Sequence, residues 1–97
     1  MFDTKDPKED IIIKFDYSDL GDIVANPAVT VRVVRGIDLN ANAILSGLPQ
    51  VEGNLVLQKV VQGVNGCWYE FSCLADIGGS RPIIKEILPI QIDCIHE

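Results

Sequence analysis

No segment of the chain places apolar residues at i, i+3, i+4 and i+7 for as many as three turns, so the pattern of an amphipathic helix is missing throughout. What recurs instead is alternation. In CWYEFSCLAD, Cys67 to Asp76, the residues Cys67, Tyr69, Phe71, Cys73 and Ala75 fall on one side of an extended chain, and Trp68, Glu70, Ser72, Leu74 and Asp76 on the other. Gly63 and Gly66 in the preceding GVNG, and IGGSR after the run, supply residues that tolerate the positive φ angles of tight turns. The first set suits a buried face and the second a wetter one.

Val- and Ile-rich runs predict further strands over Asp10 to Tyr17, Ala28 to Gly36, Asn54 to Gln62 and Pro82 to Ile92. In the second of these, Val29, Val31 and Val33 point one way and Thr30, Arg32 and Val34 the other. Asn26-Pro27 breaks the chain ahead of it. Ser18 to Asp22 reads as a turn or a single helical turn, capped by Ser18 and ended by Gly21. The polar middle predicts a short strand around Ala43 to Leu45. Pro89 cannot donate to a ladder, so the last strand is bulged, bent or an edge there. Five to seven short strands with Gly-rich turns predict an all-β sandwich or small barrel. At 97 residues one domain is expected, residues 10–97, behind an N-terminal extension of residues 1–9.

Charge narrows the partners. The net charge is −6, from 14 acidic and 8 basic residues. That balance argues against nucleic acid, whose phosphates require clustered Lys and Arg, and against an anionic membrane surface. No apolar run reaches the ~20 residues of a membrane span. The polar, acidic MFDTKDPKED start has no signal-peptide core, so the protein is expected to be made in the cytosol and to leave it only within an assembly.

The residues that could carry chemistry do not converge. Cys67 and Cys73 would lie roughly 20 Å apart on one strand, too far to bridge or to share a metal ion. Cys94 could pair with only one of them, and buried free thiols are the expected state. A nucleophilic cysteine needs a base, and the sole histidine, His96, stands at the C-terminal end. Asp16, Asp19 and Asp22 form a D-x-x-D-x-x-D series, but without the alternate-position ligands of a calcium loop. No phosphate-cradling glycine motif occurs. No enzyme activity, metal or cofactor is therefore expected. Tyr69, three residues past Gly66, stands where a sandwich places a corner tyrosine whose hydroxyl bonds back to the preceding loop. Gly63 and Gly66 would shape that corner. Trp68 and Leu74 on the opposite face are the candidate interface residues, Trp68 serving equally well as a cover for a neighbouring strand.

The order of these features resembles a known family. An Asp6-Pro7 start leads to a strand ending in Asp16-Tyr17, then SDLGD, a Val/Thr strand, VVQGVNGCWYEFSCLAD, a GGSR hairpin and a last apolar strand. This looks like the small immunoglobulin-like virion proteins of tailed phages, of the fiber-tail adaptor type, over roughly Asp6 to Ile92. The family usually has Trp where Tyr17 stands, often a second Trp near Leu20, and often Gly-Gly in place of Gln62-Gly63. The resemblance implies an antiparallel immunoglobulin/fibronectin-like sandwich of about seven short strands. It also implies a non-enzymatic virion component in several copies at the portal or tail, holding tail fibers or other tail proteins. The alternative is a stand-alone immunoglobulin-like domain that recognises a protein or a carbohydrate.

Overall fold

In the computed structural model, residues 5–20 and 24–90 are described. Six strands follow one another: β1 (Ile11–Asp16), β2 (Val24–Arg35), β3 (Leu45–Glu52), β4 (Leu55–Val60), β5 (Trp68–Ile77) and β6 (Ile83–Pro89). They form two antiparallel three-stranded sheets, one in the order β1-β4-β3 and the other β2-β5-β6. Named in immunoglobulin terms, these are strands B-E-D facing C-F-G. Lys5 adds a parallel bridge to Ile90, where a first strand would join the last. The protein is therefore an all-β sandwich, as the alternation requires.

The alternation fixes what each face does. Ile13 and Phe15 of β1 and Val56 and Val60 of β4 turn inward, against Tyr69, Phe71, Cys73 and Ala75 of β5. Val29, Val31 and Val33 of β2 pack against this core half-buried, because β2 is an edge. Burying a side chain the size of Phe71 or Phe15 contributes about 1.5–3 kcal/mol, so β5, inward at every second residue, is the central element of the core.

Several boundaries differ from the sequence reading, each for a local reason. β2 starts at Val24 and runs through Asn26-Pro27. The break predicted there is a register shift between Ala25 and Ala28 inside the strand, with Asn26 at φ 49°. The short strand expected at Ala43 to Leu45 is instead a 3-10 turn, Ala41–Ile44, which buries Ile44 and leads into β3. β3 continues beyond that region through Gly47 and Pro49, which it absorbs in a bulge between the pairs Ser46↔Lys59 and Gln50↔Leu57. The helical turn expected after β1 is a 3-10 turn that spans Ser18–Leu20. Asp16 satisfies its first free N–H, Oδ1 accepting the Ser18 backbone N–H at 2.8 Å. Gly21 and Asp22 lie outside the described residues. Pro89 ends β6, which is an edge strand, and its carbonyl accepts the Lys5 N–H at 2.9 Å.

Two buried polar side chains complete the frame. Gln58 points inward between Val56 and Val60, opposite the β3 bulge. Its amide donates to the Lys59 carbonyl at 2.9 Å and, more weakly, to the bulge carbonyls of Gly47 and Ser46 at 3.3 and 3.4 Å. Lys5 is buried, and its ammonium donates to the carbonyls of Asp6 and Gln62. Burial lowers its pKa, against the opposing pull of Glu9, Asp10 and Asp6. Residues 5–9, expected as an extension, are thus tied to the sandwich through Lys5.

Candidate functional site

The site is built around Tyr69, the second residue of β5. Its ring is fully buried, and its hydroxyl accepts the Val64 N–H at 3.0 Å, closing the corner between β4 and β5. The same hydroxyl donates to Oδ2 of Asp38 at 2.6 Å. Asp38 lies in the loop after β2, and its Oδ1 accepts the Asn40 N–H at 2.9 Å, so one carboxylate folds its own loop and anchors it to the corner. Burial first, then the bond to Asp38, pushes the Tyr69 hydroxyl far above its usual pKa, and it stays a neutral donor.

Two further contacts hold the loop. Gly36 has φ +87°, and a Cβ there would lie 2.7 Å from Sγ of Cys67, so only glycine fits. The Cys67 thiol in turn meets the Ile37 carbonyl at 3.5 Å. On the other side of Tyr69, Gln62 (φ 55°) and Gly63 (φ 109°) turn the chain. Gly63 packs over Ile90, and Gly66 donates its N–H to the Ile90 carbonyl at 2.8 Å.

The result is a rigid tip. With Asp38 drawn inward, its neighbours Ile37 and Leu39 are thrown out, 79% and 99% exposed. Val64, whose N–H meets the same hydroxyl, is 42% exposed beside them. A pinned loop does not reorient its aliphatic side chains away from water, so this end keeps its apolar surface on display.

The candidate interface residues sit elsewhere. Trp68 lies on the outer face of the β2-β5-β6 sheet, half-buried, with the Arg35 guanidinium 4.6 Å from its ring centroid. It therefore covers sheet and holds an arginine. Leu74, at the other end of that face, is half-buried between its cross-strand neighbours Ala28 and Ile83. Between them the face is polar and self-paired: Arg32 donates to Glu70 at 2.8 Å. Beyond Leu74, Asp76 accepts from Arg81 at 2.6 Å and from Asn26 at 2.9 Å.

The groups that could react are placed for packing. Cys67 and Cys73 are buried free thiols, and burial raises the pKa of Cys73. The Tyr17 hydroxyl, also raised by burial and by its bond, donates at 2.8 Å to the Cys73 carbonyl and so links the end of β1 to β5. Among the described residues no three acidic, Cys or His side chains lie close enough to hold a metal ion. Cys94 and His96 are outside the described residues. No helix of the described chain is long and apolar enough to cross a membrane.

Strand order and register thus define the class of the described residues, an antiparallel β-sandwich with an apolar tip. Comparison with protein-family models, curated proteins and solved structures finds no match.

Proposed function

We propose that the protein is a non-enzymatic component of a tailed-phage virion, an adaptor that joins the portal or tail to tail fibers or other tail proteins. The observation that carries this reading is the tip. Asp38, Tyr69, Gly36 and Cys67 hold a loop in one conformation, and what that loop offers is Ile37 and Leu39. Exposed aliphatics on a rigid mount lose little conformational entropy on binding, which suits docking on another protein. Such a surface supplies neither the aromatic platform of a sugar site nor the basic field of a nucleic-acid site. The motif from Gln62 to Arg81, whose two turns and Tyr69 resemble those of the virion family, supports the same reading. The virion tail is the proposed location, after synthesis in the host cytoplasm, with several copies per particle.

The test is the composition of native particles. Mass spectrometry of purified virions should find the chain at a fixed number of copies in the tail fraction. A chain that stays monomeric and is missing from every particle overturns the proposal.

A further inference from the structure

The outer face of the β1-β4-β3 sheet carries a second surface, separate from the tip. The β3 bulge lifts Leu48 out of the sheet, 86% exposed, and opens a groove of about 290 Å³ beside it. Ile12, Leu48 and Leu57 supply its apolar lining, with Lys59, Ser46 and Gln50 around them. The register places Ile12, Lys59 and Ser46 in one row across the sheet, and Lys14, Leu57 and Gln50 in the next. The row beyond holds Asp16, Leu55 and Glu52, so positive charge is confined to the two groove rows.

That charge is unusual for this chain. All three arginines are engaged, Arg32 with Glu70, Arg81 with Asp76 and Arg35 with Trp68, and Lys5 is buried. Lys14 and Lys59 are exposed and make no ion pair among the described residues. Of the four exposed lysines of this chain of net charge −6, Lys8, Lys14, Lys59 and Lys85, two thus flank the apolar groove. Like charge over much of the surface repels an acidic partner, and the two lysines beside this groove attract one.

We infer that the groove takes an extended, acidic segment of a partner protein, with an aliphatic side chain against Ile12, Leu48 and Leu57 and carboxylates against Lys14 and Lys59. This deepens the adaptor reading by naming the chemistry of one partner. The bulge matters to the fit: it removes β3's regular ladder at the groove, so the segment docks through side chains on the sheet face.

The probe is a synthetic peptide alternating Leu with Asp or Glu, titrated into the isotope-labelled chain and followed by backbone amide shifts. A Leu/Lys peptide of the same length is the control. Saturable shifts confined to Ile12, Ser46 to Gln50, Leu57 and Lys59 are expected, weakened by salt. The Lys14→Glu, Lys59→Glu double variant, altered only at exposed positions, should bind the acidic peptide about tenfold more weakly or worse. Silence at the groove, equal binding of the basic peptide, shifts only at Ile37 and Leu39, or peptide-free shifts that grow with protein concentration would each overturn the inference. The last of these would assign the face to a second copy. A silent groove in a chain still found in particles removes this inference and leaves the adaptor reading standing. Peptide binding by a chain missing from particles does the reverse.

Discussion

The Tyr69 hydroxyl and the Asp38 carboxylate, 31 residues apart in the chain, meet at 2.6 Å. The same hydroxyl takes the Val64 N–H, so one oxygen joins two loops. Removing it costs more than one hydrogen bond, because a donor and a carboxylate are both left without their partner. Tyr69→Phe should lower unfolding free energy by about 1–3 kcal/mol, measured by urea denaturation. Asp38→Ala should cost a similar amount. The double variant should lose clearly less than the sum, since both changes break the same bond. Additive losses would place the two residues in separate roles.

Gly36 tests the mount from the other side. An alanine there adopts a left-handed φ and drives its Cβ toward Sγ of Cys67. Gly36→Ala should destabilise by about 2 kcal/mol or more, conformational strain adding to overpacking. A neutral substitution would mean that the loop is not held against Cys67.

The tip itself should be dispensable for folding. Leu39 is exposed, so Leu39→Asp should change stability by no more than about 0.5 kcal/mol. On the adaptor reading the same variant is excluded from particles. Normal incorporation would move the docking surface away from the tip.

Gln58 is a buried amide that serves carbonyls at and opposite the β3 bulge. Gln58→Leu keeps similar bulk but leaves those carbonyls short of a donor, and should cost about 1–3 kcal/mol. Faster amide exchange at Ser46 to Gln50 should accompany the loss. Unchanged exchange there would show that the bulge holds itself.

Acid should weaken the fold through two carboxylates. Bonds from Ser18 lower the pKa of Asp16, and bonds from Asn26 and Arg81 lower that of Asp76. A carboxylate whose pKa is lower folded than unfolded stabilises the fold above its unfolded value, and that contribution is lost as pH falls through the folded value. Stability should therefore decline below about pH 4. The Asp76→Asn variant should show a shallower decline, read from Tm against pH. An equal slope in the variant would remove Asp76 from the account.

How much of this could be read from sequence depended on distance along the chain. The alternation in β5 and the glycines before it mark Tyr69 and its buried neighbours from one short stretch. Asp38 carries no such mark, because its role exists only once β2 and the corner have come together. Gln58 did leave a signal: it is the polar member of an inward series between Val56 and Val60, and such a residue needs a buried partner. β3 was missed because Gly47 and Pro49 usually end strands, whereas here a bulge accommodates both. The cover on Trp68 was also out of reach, since Arg35 arrives from β2 across the sheet.

A sandwich with open edge strands risks joining another copy of itself backbone to backbone. The bulge in β3 lessens that hazard where the first sheet would be open to it. Pro49 has no N–H to offer a neighbouring copy, and the Ser46 and Gly47 carbonyls already face the Gln58 amide. At the end of β6, the Lys5 N–H occupies the Pro89 carbonyl. Ladder growth between copies is thereby disfavoured at these two places, and any contact made there falls to side chains, which can discriminate between partners as a bare ladder cannot.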